Sequence, residues 1–154
     1  MRRVQEGMHV CCRIGGVLIG IDLDRVQEIN RHVEPTFVPL MEKHVRGVIN
    51  LRGNLVTVLD LGVVVRGEAT ANGQRTRTVV VELGEEVCGL VVEDVGDVVD
   101  VGALTKEPVP SHLPEDQRRW FTQLVQLPDE LLLLLDLEAV GRYGVTSEQG
   151  VGAR

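Results

Sequence analysis

The sequence predicts an all-β protein made of two copies of one β unit. Its residue inventory and an internal duplication carry that expectation. The chain holds 28 Val and 19 Leu against only 5 Ala. The branched Cβ of Val suits a pleated, half-buried surface, and scarce Ala argues against a helical bundle. Residues 12–29 (CRIGGVLIGIDLDRVQEI) align without a gap with residues 81–98 (VELGEEVCGLVVEDVGDV) at an offset of 69. Gly15 meets Gly84, Gly20 meets Gly89, Val26 meets Val95, and Ile29 meets Val98. A second pair of blocks follows in the same order: residues 50–61 (NLRGNLVTVLDL) match 126–137 (QLPDELLLLLDL) at an offset of 76.

In the first copy, Cys11 to Ile21 reads as a hairpin broken at Gly15-Gly16, a dipeptide that supplies the positive φ angles of a two-residue turn. Val26 to Ile29 is a short strand. Gly47 to Leu51 and Leu55 to Leu61 form a second hairpin around Arg52-Gly53-Asn54. The second copy repeats this with strands at 79–83, 87–92, 98–101, 124–127 and 131–137, and turns at Gly84-Glu85-Glu86 and Pro128-Asp129-Glu130. Leu131 to Leu135 is apolar on both faces, and Leu55 to Leu59 nearly so. Such strands are buried on both sides, as when a small sheet curls into a barrel and packs on a neighbour. Between the copies, Arg66 to Thr78 is polar and contains Asn72-Gly73, so a mobile loop is expected. Short helices are expected at Leu40 to Val45, Pro114 to Phe121 and Leu137 to Val140, and a flexible tail over residues 144–154.

The 154 residues suit one ordinary domain, and 25% charged residues mark it as globular. A net charge of −7 disfavours a phosphate-backbone binder, and one Trp, one Tyr and two Phe give few platforms for stacking bases. The longest apolar run, Leu131 to Leu135, is far below the roughly 20 residues of a membrane helix. The basic N-terminus is not followed by the apolar stretch of a signal peptide. Three cysteines, two of them adjacent, make no disulfide framework. A reducing cytoplasm is the expected location.

Few residues point to chemistry. His9, His32, His44 and His112 lack the spacing of metal ligands. Cys11, Cys12 and Cys88 fall on strands, where buried, inert packing is expected. No P-loop, dinucleotide fingerprint or nucleophile elbow is present. Glu85-Glu86 and Glu93-Asp94 read as solvated turn residues. No catalytic, cofactor-binding or metal-binding residue is expected. Arg52-Gly53 differs, because its counterpart in the second copy is Pro128-Asp129. A planar five-donor cation beside a glycine can clamp a carboxylate across a seam, with Glu28 the candidate partner; a solvated turn residue is the alternative.

Residues 45–61 (VRGVINLRGNLVTVLDL) resemble the signature segment of the CheW family, the coupling proteins of bacterial chemosensory arrays. The pattern G-V-x-N-L-R-G followed by V-x-D-L is preceded by V-x-E-I at Val26 to Ile29. It is followed by G-L-V-V-x-x-V at Gly89 to Val95, and the likeness spans about residues 10 to 140. The resemblance implies two five-stranded SH3-like β-barrels in a single domain over residues 8–143. Subdomains would cover about 10–65 and 76–140, with exchange of strands between them left open. It also implies a non-catalytic cytoplasmic adaptor without cofactors, bridging the cytoplasmic tip of a methyl-accepting receptor to the regulatory domain of a CheA-type histidine kinase. Nucleic acid and membrane insertion are outside that role. By the same resemblance, Arg52 and Glu28 would brace the seam between barrels. Val26, Ile29, Val95 and Val98 would line an apolar groove, and Gly47, Asn50 and Gly53 would shape the partner-binding surface. Thr57, Gly62 and Gln123 stand where the family has Pro, a basic residue and Gly. These departures imply a divergent paralogue, serving a gliding, pilus or developmental pathway; the alternative to bridging is a paralogue that binds receptor or kinase alone. The rival readings are an enzyme and a nucleic-acid module built on small barrels.

Overall fold

Residues 7–146, the part described by the computed structural model, form eleven strands and three short α-helices. In order these are β1 (Met8–Ile14), β2 (Val17–Asp22), a 3₁₀ turn (Leu23–Arg25), β3 (Val26–Arg31), β4 (Val45–Leu51), β5 (Asn54–Asp60) and α1 (Leu61–Arg66). There follow β6 (Arg77–Leu83), β7 (Glu86–Val92), β8 (Asp94–Asp100), β9 (Lys106–Glu107), α2 (Glu115–Arg118), β10 (Phe121–Gln126), β11 (Leu131–Leu135), α3 (Leu137–Gly141) and a π-helical turn (Arg142–Thr146). The duplication is visible strand by strand. β1, β2 and β3 match β6, β7 and β8; β4, β5 and α1 match β10, β11 and α3.

The sheets show how the copies are combined. One sheet runs β8-β1-β2-β11-β10-β9, the other β3-β6-β7-β5-β4. Apart from β9, both follow one scheme. A hairpin from one copy sits between the third strand and the last hairpin of the other, so the copies exchange strands reciprocally. Two parallel ladders join the exchanged pieces. Leu18–Gly20 of β2 pair with Leu132–Leu134 of β11, and Thr57–Asp60 of β5 pair with Cys88–Val91 of β7. Parallel neighbours need a long crossover, so neither half can complete its sheet alone.

Alternation along the strands explains the burial. Val10, Cys12 and Ile14 of β1 and Val79, Val81 and Leu83 of β6 point into a core between the sheets. Cys11 points the other way, into a second cluster with Leu18, Val125, Leu132 and Leu134. The expectation of strands buried on both faces holds for most of β11 and for Val58 and Leu59 of β5, although Leu131 and Leu55 at the strand starts are exposed. The three cysteines are buried thiols, and burial pushes Cys12 up to about 12. Such a thiol carries essentially no thiolate at neutral pH.

Three expectations need correction, and one element was not foreseen. Leu40 to Val45 is not helical. Leu40 adopts φ 67, and the His44 carbonyl accepts from Asp60 N–H at 2.7 Å, so no intrahelical partner remains for it. Leu61 to Arg66 is a helix, although Gly62 and three valines disfavour one. Its cap and its burial outweigh propensity: the Asp60 side chain accepts from Val63 N–H, and Leu61, Val64 and Val65 are buried. The segment Arg66 to Thr78 is pinned. Thr70 and Thr76 are buried, and Thr70 donates to Asp60 from its backbone and its hydroxyl. Gly144 to Thr146, expected in the tail, belong to the π-helical turn, where Gly144 is buried beside Tyr143, whose ring packs on His44 with ring centres 4.5 Å apart. Residues 147–154 lie outside the described part.

Two of the three departures from the family pattern, Gly62 and Gln123, also find reasons. A Cβ on Gly62 would come within 2.6 Å of the Glu68 carbonyl oxygen, so the pinned loop leaves no space for a larger residue. A Cβ on Gly47 would lie 2.1 Å from the Thr36 carbonyl oxygen, where Thr36 bridges Val48 along the outer edge of β4. In the second copy that role passes to β9, which meets β10 at Leu124 and Val125, and Gln123 sits on a bulge beside it.

Asp60 and Asp136 occupy matching positions and both cap a helix, but their environments differ. Asp60 is buried, accepts from Thr70 and Val63, and pairs with Arg46 at 2.9 Å. Asp136 accepts from Ala139 N–H at 3.1 Å, and Thr122 stands where an arginine would match Arg46. Asp60→Ala strands a largely buried guanidinium and should cost about 3–5 kcal/mol. Asp136→Ala removes a cap alone and should cost about 1 kcal/mol. Urea unfolding of both variants measures the difference, and equal losses would refute this account of Asp60.

Candidate functional site

The β4–β5 hairpin carries the candidate site. A two-residue turn that matches strand twist needs positive φ at both central positions. Here Arg52 has φ 54 and Gly53 has φ 87. Gly53 has open space around its Cα, so only its backbone freedom matters. Asn50 fixes the turn by accepting the Gly53 N–H on its side-chain oxygen at 2.9 Å. Arginine is a poor residue for left-handed backbone, and Arg52 is one of two non-glycine residues with positive φ among those described. Strain of this kind gathers at functional positions.

The Arg52 side chain crosses to Glu28 on β3. Nη1 donates to Glu28 Oε2, and Nη2 donates to Oε1 at 3.3 Å. The Asn30 amide also donates to Oε1, at 3.1 Å. The Asn30 hydrogen bond, ahead of the guanidinium, holds the Glu28 carboxyl below its ordinary range against partial desolvation. The clamp does not brace the seam between barrels. β3 and β4 are the two outer edges of the same sheet, so Arg52 and Glu28 draw that sheet closed upon itself. The matching positions in the other copy are Pro128 and Asp97, which cannot form it.

With 76% of its side chain exposed, Arg52 gains little stability from the pair. What the pair does is orient an accessible guanidinium between two clefts. One, of about 430 Å³, is lined by Asn30, Val33, Thr36, Val48, Asn50 and Leu51 among others. The second, of about 390 Å³, includes Gln27, Leu51, Arg52, Leu55 and Val87.

The structure brings Glu28, Asn50, Arg52 and Gly53 together. Gly47 lies on the same strand as Asn50, where it admits the Thr36 bridge. The four apolar candidates are not gathered in one place. Val26 and Ile29 lie on β3, Val95 and Val98 on β8 of the other sheet. Val26 and Val95 pack on the core between the sheets, and Ile29 and Val98 are partly exposed. Neither cleft beside Arg52 includes any of the four. The sequence reading missed Val33, Phe37, Leu40 and Leu55, all strongly exposed. Pro35 and Pro39 gave a signal for the first three, since a segment so interrupted cannot bury its apolar residues in a ladder.

Among the described residues no group of His, Cys, Asp and Glu could hold a metal ion. No helix among them is long and apolar enough to cross a membrane. Comparison with known proteins agrees with the geometry. The family model described as CheW-like domain matches residues 9–143. The chemotaxis protein CheW of Klebsiella aerogenes is 31% identical over 81% of this chain and 75% of its own length. That of Bacillus subtilis is 28% identical over 82% and 81%. The crystal structure of the scaffolding protein TtCheW from Thermoanaerobacter tengcongensis superposes with a TM-score of 0.77 at 24% identity, covering 85% of this chain and 84% of that one. It shares the fold of two SH3-like β subdomains. On the match over residues 9–143 and the likeness to the Klebsiella protein, this chain belongs to the CheW-like domain family.

Proposed function

We propose that this protein is a non-catalytic adaptor that couples the cytoplasmic tip of a chemoreceptor to the regulatory domain of a CheA-type histidine kinase. Membership of a family of chemotaxis scaffolds supports the reading. The observation that carries it is the Arg52 turn. A strained backbone and a salt link of little energetic worth present one guanidinium between two clefts, and a partner's carboxylate or backbone carbonyl can take its remaining donors. Exposed Val33 and Leu55 on either side supply apolar contact. A few such anchors on a pre-formed surface suffice for recognition of a helical tip or a small barrel.

Two measurements separate recognition from folding. Arg52→Asn creates the residue pair that best fits this turn, so the fold should hold or gain stability. In pull-downs with receptor tip and kinase regulatory domain tested separately, capture of at least one should fall about tenfold, the value of one charge-assisted contact. Arg52→Glu should weaken it further by facing Glu28 with a like charge. Full capture by both folded variants would overturn the assignment. The clamp itself is read from pH. Glu28 titrates lower in the folded chain, so its contribution is present above the unfolded carboxylate value of about 4.3 and is lost as pH falls through the folded value. Wild type should exceed Glu28→Gln in denaturant midpoint at neutral pH, and the two should converge in acid.

A further inference from the structure

The ladder between β3 and β6 ends on a pair of like charges. Arg31 stands directly opposite Arg77. Opposed residues leave an antiparallel pair on the same face, and like charges there weaken it. At this end of the strands opens a cavity of about 440 Å³ lined by Arg31, His32, Gly73, Gln74, Thr76 and Arg77, without one carboxylate among them. In a chain of net charge −7 such a local excess of positive charge stands out. Arg77 is held in place, its Nη1 donating to the carbonyls of Gln74 at 2.8 Å and Thr76 at 2.9 Å. Its Nε and Nη2 make no hydrogen bond among the described residues, and neither does the Arg31 guanidinium.

We propose that this cavity binds the dianionic phosphate group of a small molecule between Arg31 and Arg77. A phosphate dianion neutralises both cations, whereas a single carboxylate would leave one opposed charge uncompensated. Planar guanidinium forks match phosphate oxygens, and each pairing is a charge-assisted hydrogen bond. The volume falls in the range of small-molecule pockets and exceeds what a bare phosphate fills, so the lining at Gly73 and Gln74 is left for the group that carries it. This site is separate from the Arg52 turn and does not depend on the adaptor reading.

Amide NMR of the whole protein provides the test, with inorganic phosphate and adenosine 5′-monophosphate titrated separately against chloride at matched ionic strength. Saturable shifts at Arg31, His32, Gln74 and Arg77 are expected. Tighter binding of the nucleotide assigns the rest of the cavity to the organic part, and equal binding assigns the site to free phosphate. Arg31 is exposed, so its variants should fold. Arg31→Gln should weaken binding about tenfold or more. Arg31→Glu should abolish it and, by removing the repulsion, raise the thermal midpoint in chloride. The proposal fails if neither probe gives saturable shifts. It fails equally if the Arg31→Gln titration matches wild type, or if Arg31→Glu melts lower in chloride than wild type.

Discussion

Two parallel ladders, β2 on β11 and β5 on β7, are the constraint on which the molecule rests. Each joins a hairpin of one copy to strands of the other. Without them β2 and β7 would be bare edges rich in Val, Ile and Leu, and such edges recruit foreign strands. With them, Leu132, Leu134, Val58 and Leu90 become central residues, fully or almost fully buried. The core between the sheets then forms around β1 and β6, the leading strands of the two copies, with residues of β2, β5, β7 and the helices α1 and α3. The strand exchange is thus what turns a duplicated sequence into one cooperative unit.

A duplicated frame allows each copy to be altered separately. The first copy keeps a buried carboxylate and its arginine, Asp60 with Arg46, and so anchors the loop after α1. The second keeps the carboxylate as a simple cap at Asp136. The same asymmetry marks the Arg52 turn, whose counterpart has ordinary turn residues at Pro128-Asp129. The outer edge of the last hairpin is guarded in both copies, by Thr36 in one and by β9 in the other. The fold is therefore close to symmetric, while the Arg52–Glu28 clamp and the Asp60–Arg46 pair lie in the sheet that β3, β4 and β5 share with β6 and β7.

The strands and their turns were legible because period-two alternation and glycine positions are local signals. Gly15-Gly16, Arg52-Gly53 and Gly84 stand at turns wherever the rest of the chain lies. The Arg52–Glu28 pair was also legible, since two motifs placed both residues on one copy. The failures share one cause. α1 breaks propensity because Asp60 caps it and the core buries it, and neither fact is local. Loop 66–78 is ordered by Arg46 and Asp60, which precede it in sequence. Val26 and Val95 match in the alignment but belong to different sheets, so no single groove was assured.

The sequence by itself determined the β class, the duplication, the hairpins and the identity of the clamp, because each depends on neighbours a few residues apart or on a repeat. Only the tertiary structure decided which copy's strands share a sheet, and with that whether Arg52 spans two barrels or closes one. Hydrogen-bond ladders are indifferent to chain order: equivalent strands of either copy present the same donors, acceptors and apolar faces. The choice between them is made by packing the whole chain at once.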